Sequence, residues 1–524
     1  MKKKIYIIIT LICSYYCFAT DYYVSNFNGS DSNNGLSEST AFKTIQRAAN
    51  ITNPGDTVYV MDGEYNNTCS DCNVVTIKRS GTSSNWILYT NYPNHKPLIK
   101  FNGWQGIQVK DGASYVKING FIIQGNSDNL NLSDALNQPG SCNNSSGGII
   151  STYNGNGIQM AGLSSFSTGY PHHIEITNNE IFDSPGAGIS CLKSDYLTIK
   201  NNKIHDNGWY TVFGTSGITM YQNWNYNSDI NNYRMIIENN YLSGNKNLVP
   251  WVVVCDITDG NGIIVDDARN TQNGSNIGAY KGKTLIRNNI IIGSGGPAVH
   301  IYLSDNVDII NNSTYYNQQT PQILNGEIDA IESSNVTIRN NIMYAKSDKP
   351  INNIINSTNI TIDHNLLYGG NGTMVLGSNS IINNPNYLNP SLSLSADFTV
   401  NSSSPSVDKG SSILAPSTDF NGNTRPKGNG FDIGAYEYNS SLSVDDFEKT
   451  HFIIYPNPVT DILKIKGDNI INSYKVIDLT GKILIRGVEN NISTIDLSPL
   501  KKGLYVLEIN TGNETTTLEK VYKN

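Results

Sequence analysis

Acidic, phenolic and imidazole side chains that could transfer protons recur between residues 221 and 329. Tyr221, Asp266 and Tyr302 each end a short segment in which apolar residues alternate with other residues, and His300 lies two residues before Tyr302. A phenol, a carboxylate and an imidazole around one substrate can serve as general acid and general base. Such chemistry requires an element of structure that places these side chains next to one another.

The segments that carry these residues can be aligned with three others. Each begins with Gly, Ala or Glu and alternates thereafter, as in Gly157–Ala161, Gly188–Leu192, Gly217–Tyr221, Gly262–Asp266, Ala298–Tyr302 and Glu327–Ile331. The period of two predicts strands with one buried face. The predicted inward positions are Ile158, Ile189, Ile218, Ile263, Val299, Ile328 and Met160, Cys191, Met220, Val265, Ile301, Ala330.

The remaining positions of these strands are predicted to form two outward columns. They are Gln159, Ser190, Thr219, Ile264, His300, Asp329 and Ala161, Leu192, Tyr221, Asp266, Tyr302, Ile331. Adjacent strands lie about 4.8 Å apart. The alignment therefore places Tyr221, Asp266 and Tyr302 in one line, with His300 beside Asp266 and Asp329 one strand beyond His300. This group is the candidate active site, and an ordinary polar sheet face is the alternative.

Four carboxylates lie between residues 256 and 267, and three of them, Asp259, Asp266 and Asp267, form a candidate metal site. Clustered carboxylate oxygens are the ligands that Ca²⁺ prefers. Successive residues of a strand point to opposite faces. Asp267 must therefore lie in a turn if it shares an ion with Asp266.

A repeated phrase ending in Asn-Asn indicates the architecture that carries the site. It occurs as Ile174–Asn179, Leu197–Asn202, Met235–Asn240, Thr284–Asn289, Val307–Asn312 and Val336–Asn341, and as Ile360–Asn365 with His-Asn. The spacings of the last Asn are 23, 38, 49, 23, 29 and 24 residues, so the basic period is 23. A period of this size predicts a solenoid of short parallel strands, in which turn amides stack and form hydrogen bonds with each other.

The longer repeats contain extra residues that must leave the packed coil as loops. The predicted loops are 207–216, 222–234, 246–261 and 268–283, and three of the five Trp lie in them. Aromatic rings beside cations and amides can bind sugars, although they can also pack the loops onto the coil. The predicted substrate-binding residues are Trp209, Tyr210, Trp224, Tyr280, Lys281 and, from the sheet, Asp329.

Residues 21–438 resemble the right-handed parallel β-helix of the pectate-lyase-like superfamily. The resemblance rests on the repeat, on the opening motifs Tyr22–Asp31, Ala41–Ala49 and Pro54–Val60, and on a closing segment that extends to Glu437. Residues 41–51 are predicted to form a short amphipathic helix that covers the first coil, with Ile45, Ala48 and Ala49 on one side. The predicted fold is all-β, a right-handed parallel β-helix over 20–438 followed by a small β-sandwich.

The two ends of the chain predict export. Residues 1–19 read as a secretory signal peptide, with Lys2 to Lys4 before an apolar core. Residues 439–451 are a polar linker. The motifs of 452–524, among them Tyr455-Pro-Asn-Pro458, resemble the C-terminal sorting domain of type IX secretion. That resemblance implies the type IX machinery as a partner and a secreted or cell-surface location.

Cysteine usage and charge limit the remaining possibilities. Outside the signal, Cys69 and Cys72 could form a local disulfide or half of a zinc site, whereas Cys191 and Cys255 fit core positions, and the odd total leaves one thiol unpaired. The formal charge of −8 becomes −11 when the three Lys of residues 1–19 are removed, which argues against nucleic-acid binding. The chain is expected to be a monomer.

The resemblance implies a polysaccharide lyase that cleaves a uronic-acid glycan, such as alginate or pectate, by β-elimination. Lys246 or His300 would act as base, Tyr221 or Tyr302 as proton donor, and Arg269 on the substrate carboxylate, with Asp266 and Asp267 holding a cation.

Two other functions remain open from the sequence. An inverting glycoside hydrolase could use two carboxylates, for instance Asp266 and Asp329. A non-catalytic β-helix could bind glycans along its faces. The concentration of His, Asp, Tyr and Arg in two repeats favours catalysis.

Overall fold

The structure is a computed structural model that describes residues 19–161, 169–371, 374–438, 453–466, 471–478, 481–488, 492–511 and 516–524. The chain divides into two compact units, Met1–Asn439 and Ser440–Asn524, which are described separately below. The predicted linker 439–451 and the predicted signal peptide, apart from Ala19, lie outside the described residues.

Three long parallel sheets form the walls of the first unit. Sheet 1 contains Val75–Ile77, Gln105–Lys110, Asn156–Ala161, Ile189–Leu192, Ile218–Tyr221, Ile263–Asp266, Val299–Tyr302, Ile328–Ile331 and Asn352–Ile355. Sheet 2 contains Asp21–Val24, Thr57–Val60, Ile87–Asn91, Ser114–Asn119, His172–Thr177, Asp195–Lys200, Tyr233–Glu238, Lys283–Arg287, Asp305–Ile310, Ser334–Arg339 and Thr358–Asp363. Sheet 3 contains Glu64–Asn66, Leu98–Lys100, Ile122–Gln124, Glu180–Phe182, Lys203–His205, Tyr241–Ser243, Ile290–Ile292, Ser313–Tyr315, Ile342–Ala345, Leu366–Gly369 and Ile381–Ile382.

The chain visits the sheets in the order 1, 2, 3 and then returns to sheet 1, so each circuit is one coil of a right-handed parallel β-helix. The predicted all-β fold is confirmed. Among the described residues of this unit the helices are short: Ile45–Ala49 and Leu132–Leu136 are α-helical, and Glu38–Thr40, Ser127–Asn129 and Ser151–Tyr153 form 3₁₀ turns.

The predicted inward positions of sheet 1 form the core. The side chains of both inward columns, from Ile158 to Ile328 and from Met160 to Ala330, are at most 1% exposed. Each pairs with its neighbour in register, as Ile218 does with Ile263 and Ile263 with Val299. Burial of these apolar side chains is the main favourable contribution to folding.

An asparagine ladder connects the coils at the turn between sheets 2 and 3. The first residue of each Asn-Asn pair has a positive φ, from 52° to 57° over Asn178 to Asn340, which Asn tolerates better than most residues. The second is buried, and its side-chain oxygen accepts hydrogen bonds from the preceding rung. The Asn240 Oδ1, for example, accepts from the backbone N and the Nδ2 of Asn202 at 3.0 Å. The predicted stacking of amides is therefore confirmed.

A helix covers the first coil, and the closing segment covers one outer face of the late coils. Helix Ile45–Ala49 buries Ile45, Ala48 and Ala49 as predicted. From Ile290 onward, the outer face of sheet 3 packs under the closing segment 385–438, which contains the antiparallel pair Tyr387–Asn389 and Asp397–Val400. The outer face of sheet 3 is thus apolar and covered in the late coils.

The second unit consists of two small antiparallel sheets. One contains Ile453–Tyr455, Ile462–Lys466 and Thr494–Asp496, and the other contains Ile471–Ile477, Ile483–Val488, Gly503–Thr511 and Thr516–Lys523. Leu463, Leu507 and Ile509 are fully buried in one core. The predicted β-sandwich is confirmed.

Two disulfides are formed, Cys69–Cys72 and Cys142–Cys255, and Cys191 is a buried free thiol. The local Cys69–Cys72 disulfide was one of the sequence alternatives and is confirmed. The prediction that Cys255 is a core residue is wrong, because it joins the loop 246–261 to the loop that contains Cys142. Among the described residues, none lies in a helix long and apolar enough to cross a membrane.

Candidate active site

Long loops flank the outer face of sheet 1 on both sides. The loops 207–216 and 246–261 lead from sheet 3 into Ile218–Tyr221 and Ile263–Asp266, and the loops 222–234 and 268–283 lead from those strands to sheet 2. These are the loops that the longer repeats predict. The outer face of sheet 1 is therefore the floor of a groove between two loop walls.

The predicted register of this floor is confirmed. Tyr221 pairs with Asp266 and Asp266 with Tyr302, while His300 pairs with Asp329. The two outward columns differ in exposure. Tyr221, Asp266 and Tyr302 are partly exposed, whereas the column of His300 is covered by the loops, and His300 itself is 9% exposed.

His300 is held by a buried carboxylate. Its Nδ1 lies 3.3 Å from Oδ2 of Asp329, whose side chain is fully buried. The other oxygen of Asp329, Oδ1, accepts a hydrogen bond from the backbone N of Gly326 at 2.7 Å. Burial lowers the pKa of His300, but the Asp329 hydrogen bond and the charges of Asp329, Asp259 and Asp266 outweigh it, so that the pKa is raised. The prediction that Asp329 contacts substrate is wrong, because no solvent reaches its side chain.

Two further carboxylates, those of Asp259 and Asp266, act on His300 through their charge. Burial and then the charge of Asp259 raise the pKa of Asp266 to about 7, and the charge of His300 acts in the opposite direction. Burial also raises the pKa of Asp259, whose Oδ2 accepts from Thr258 Oγ1 at 2.7 Å and whose Oδ1 accepts from Asn261 Nδ2 at 3.3 Å. Near neutral pH, Asp266 is thus poised between acid and carboxylate.

The loop 268–283 supports the residues of the exposed column. Asn273 Nδ2 donates to the Tyr221 hydroxyl at 2.7 Å, and Gln272 Nε2 donates to Asp266 Oδ1 at 3.1 Å. The rings of His300 and Tyr302 stack with centroids 6.1 Å apart and an interplanar angle of 12°. Burial raises the pKa of both Tyr221 and Tyr302, so both phenols keep their protons at neutral pH.

The candidate calcium site does not have a suitable ligand set. Asp267 lies in a turn with φ of 46°, as sharing an ion would require, but its four hydrogen bonds occupy both oxygens. Oδ1 accepts from the backbone N and Oγ1 of Thr271, and Oδ2 accepts from the backbone N of Gln272 and from Gln222 Nε2. The described residues contain no cluster of three or more His, Cys, Asp or Glu arranged to hold a metal ion. The role of Asp267 is to fix the loop that supports Asp266.

Lys246 lies at the start of the loop 246–261, which also carries Asp259. Its Nζ stands 4.8 Å from the ring centroid of Trp209, a distance at which an ammonium is attracted to an aromatic face. The Trp209 indole N donates to the carbonyl of Gly244 at 3.0 Å, which fixes the ring. Both side chains are partly exposed, so the pair forms part of the wall of the groove on the sheet 3 side.

Arg269 does not face the groove floor as a free cation. Its Nη2 donates to Asp305 Oδ1 at 2.7 Å, and its Nε donates to Asp305 Oδ2 at 3.0 Å. A bidentate pair of this kind uses the directional donors of the guanidinium. The predicted role of Arg269 on a substrate carboxylate is therefore wrong, because Asp305 on sheet 2 already occupies that position.

Most of the predicted aromatic contacts serve packing instead. Tyr210 is 9% exposed in a small cluster with Val212 and Val249. Tyr280 is 5% exposed and donates to Asp195 Oδ1 at 2.8 Å. The predictions that these two bind substrate are wrong, since their ring faces are covered.

Trp224 and Lys281 have different surroundings. Trp224 packs against Tyr170 and His172, with ring centroids at 5.4 and 6.2 Å, in an aromatic group beside sheet 2. Its ring is thus engaged with other rings rather than directed at the groove floor. Lys281 is exposed, so its predicted role in substrate binding stays a prediction.

The hydrogen bond between His300 and Asp329 and the supporting roles of Gln272 and Asn273 were not predicted from the sequence. The alignment did place Asp329 one strand beyond His300, so the signal for the pair was present. Gln272 and Asn273 lie in a predicted loop rich in amides, but nothing in the sequence indicates which of those amides turn back toward the strand.

Comparison with known families identifies two parts of the chain. Residues 22–247 match the family described as Pel9A-like, right-handed β-helix region, and residues 453–524 match the secretion system C-terminal sorting domain. The first match includes Tyr221 and Lys246 but ends before Asp259, Asp266 and His300. A search of curated protein sequences gives no match.

Comparison with solved structures gives matches at low identity and with TM-scores below 0.5. The crystal structure of pectate lyase Pel9A is 16% identical, with a TM-score of 0.48, over 80% of this chain and 96% of that chain. A lacto-N-biosidase from Eubacterium ramulus is 14% identical, with a TM-score of 0.38, over 67% and 56% of the two chains. An alginate lyase from Paenibacillus sp. is 15% identical, with a TM-score of 0.35, over 64% and 94%.

The sorting domain indicates type IX secretion, and hence that the chain is exported to the cell surface or the extracellular space. The chain thus combines a right-handed parallel β-helix, of which residues 22–247 match the Pel9A-like model, with a C-terminal sorting domain of type IX secretion.

Proposed function

We propose that this protein is a secreted polysaccharide lyase that cleaves a uronic-acid glycan, of the alginate or pectate type, by β-elimination. The observation that carries the proposal is the group of His300, Asp266 and Tyr302 on the floor of the sheet 1 groove. The match to a family named for Pel9A, a protein described as a pectate lyase, also supports it.

His300 is the proposed general base that removes the proton next to the uronate carboxyl group. Asp329 accepts from Nδ1 and so leaves the lone pair of Nε2 for the substrate, as a buried carboxylate does for a catalytic histidine. The raised pKa makes the neutral imidazole a stronger base. Of the two bases that the sequence offers, His300 is favoured over Lys246 because only His300 is oriented by a buried carboxylate.

Asp266 is proposed to stabilise the negative charge that builds up on the substrate carboxyl group. In its protonated form it donates a hydrogen bond to that group, and its pKa of about 7 keeps a large fraction protonated near neutral pH. Lys246 on the groove wall supplies a positive charge. An ionised Asp266 would repel the substrate, so this step requires the acid form.

Tyr302 is the proposed proton donor to the leaving oxygen. It stacks beside His300, so the base would act on the carbon next to the carboxyl group and the acid on the leaving oxygen of the following carbon. Burial raises its pKa and keeps the phenol protonated. Tyr221, on the other side of Asp266, is the alternative donor.

An inverting glycoside hydrolase is the second candidate. The electrostatic coupling of Asp259 and Asp266 favours it, since one carboxyl group that stays protonated near neutral pH can act as acid while the other activates water. Asp329, the partner considered from the sequence, is buried and unsuitable. Asp259 takes its place.

The test is incubation of the mature protein with alginate, pectate and a neutral glucan, followed by ultraviolet absorbance and a reducing-end assay. A lyase generates absorbing unsaturated ends, and His300→Ala is expected to abolish them. His205→Ala is the matched control: His205 also lies on an outer sheet face beside carboxylates, but on sheet 3. New reducing ends without absorbance would replace the lyase proposal by the hydrolase, and retention on glycan gels without products would contradict both.

A further inference from the structure

A second concave site lies on a different wall of the coil. It is a cleft with a volume of about 260 Å³ on the outer face of sheet 3, in the first three coils. Its lining includes Glu64, Asn66, Asn67, Lys100, Asn102 and Asn126. The strand Ile290–Ile292, which leads to His300, lies four strands after Ile122–Gln124 in sheet 3. At about 4.8 Å per strand, these two strands are about 19 Å apart.

The outer face of sheet 3 changes character along the coil. In the late coils its outward residues are apolar, such as Ile290, Ile292 and Ile342, and the closing segment covers them. In the first three coils the outward residues are mostly polar, namely Glu64, Asn66, Lys100 and Gln124 beside the apolar Leu98 and Ile122, and all six remain at least partly exposed. Among the described residues, the closing segment packs on the later strands of sheet 3, and the cleft lies on the earlier ones.

The amides of the cleft are ordered by each other. Asn67 Nδ2 donates to Asn102 Oδ1 at 2.7 Å, and Asn67 Oδ1 accepts from the backbone N of Asn102 at 3.1 Å. Asn66 Nδ2 donates to Glu64 Oε1 at 3.0 Å, and Lys100 Nζ lies 3.9 Å from Glu64 Oε2. An amide has two donors and two lone pairs, and a carboxylate has about four acceptor sites, so these contacts leave unused hydrogen-bonding capacity on Glu64, Asn66 and Asn102, which line the cleft.

We infer that this cleft is a non-catalytic binding site for a sugar unit of a polysaccharide chain. Glu64 and the amides would bind adjacent hydroxyl groups, and Lys100 would bind a hydroxyl or a carboxylate. Small-molecule sites combine concave shape with a few convergent polar groups, and this cleft has room for a single sugar unit. The inference rests on the proposed function only in assuming that the ligand is a polysaccharide.

Binding at this cleft is measured in a variant that does not turn over. The His300→Ala protein is run on gels that contain polygalacturonate, alginate or a neutral glucan, alone and combined with Lys100→Ala or Asn102→Ala. Each cleft substitution is expected to weaken retention on at least one glycan about three- to tenfold, the effect of losing one or two hydrogen bonds. Both side chains are at least partly exposed, so the variants should fold.

Asn359→Gly is the matched control, since Asn359 is an exposed amide on sheet 2 that bonds another side-chain amide and Gly keeps its positive φ, and it should leave retention unchanged. The inference is overturned if the cleft variants are retained like the control, or if the His300→Ala protein is not retained on any of the three glycans. Made instead in the protein that retains His300, Lys100→Ala and Asn102→Ala should leave activity on short oligosaccharides unchanged and raise the Michaelis constant on the polymer alone. A protein without any cleavage activity but with cleft-dependent retention would contradict the lyase proposal and leave this inference standing.

Discussion

His300 Nδ1 lies 3.3 Å from Oδ2 of Asp329, a carboxylate with no exposure to solvent. This relationship makes Asp329 a positioning residue that acts through His300. Asp329→Asn should keep the hydrogen bond from the Gly326 backbone, since the Asn side-chain oxygen can accept it. We expect kcat to fall by about 10²–10⁴-fold, as in catalytic triads that lose this carboxylate, with little change in the Michaelis constant.

The pH profile separates positioning from simple structural support. Without the Asp329 charge the pKa of His300 falls, so the acid limb of the kcat/KM profile should move to lower pH in Asp329→Asn. Thermal unfolding of the variant gives the control for folding. A loss of activity that follows a loss of folded protein, with the acid limb in place, would contradict the positioning role.

Asp266 should set the alkaline limb of the wild-type profile. Its pKa is about 7, so raising the pH through neutrality ionises it and places a negative charge beside the substrate carboxyl group. Activity should rise as His300 loses its proton and decline as Asp266 ionises, with apparent values that belong to the coupled group. Asp266→Asn stays neutral and should remove the alkaline decline while part of the activity remains. The hydrolase candidate predicts instead that this variant is inactive at every pH.

The disulfide Cys142–Cys255 should stabilise the loop that carries Asp259. It joins residues 113 apart, whereas Cys69–Cys72 joins residues three apart. In the chain-entropy account, closing a loop of about 100 residues contributes about 4.7 kcal/mol, far more than closing a very short one. The double Ser variant at 142 and 255 should therefore unfold at a lower temperature and lose activity, and the double Ser variant at 69 and 72 is the matched control. Equal unfolding temperatures for the two variants would contradict this expectation.

The asparagine ladder should be a main determinant of stability. Asn240 is buried, accepts from Asn202 twice, and donates to Asn289 Oδ1 and to the backbone oxygen of Ile199. Asn240→Ala leaves several buried groups unpaired and should lower the free energy of unfolding by about 2–4 kcal/mol, measured by denaturant titration. Asn239→Gly next to it keeps the positive φ and should be nearly neutral. A loss below 1 kcal/mol in Asn240→Ala, or an equal loss in both variants, would contradict the role of the ladder.

The architecture and the strand register could be predicted from the sequence because a coil repeats local rules. The alternation of period two placed Tyr221, Asp266 and Tyr302 in line, and the Asn-Asn turns placed the ladder. Both depend on residues within one coil and its neighbour. The paths of the long loops do not follow from such rules.

Long-range contacts account for the predictions that were wrong. The loops cover the column of His300, so Asp329 is buried although it points outward from the sheet. Arg269 is occupied by Asp305, and Asp267 by backbone and side-chain donors of its own loop. Cys255 meets Cys142 from another coil. A sequence pattern reports which face a strand residue takes, but it does not report what lies above that face.

Because each ladder Asn bonds only the coils directly above and below it, the hydrogen bonds of the ladder do not depend on the total number of coils. Duplication or deletion of one 23-residue unit would recreate the same joint at the new boundary. The length of the groove along sheet 1 can therefore change during evolution by one coil at a time, without changes in the core. The number of sugar units that the groove spans would change with it.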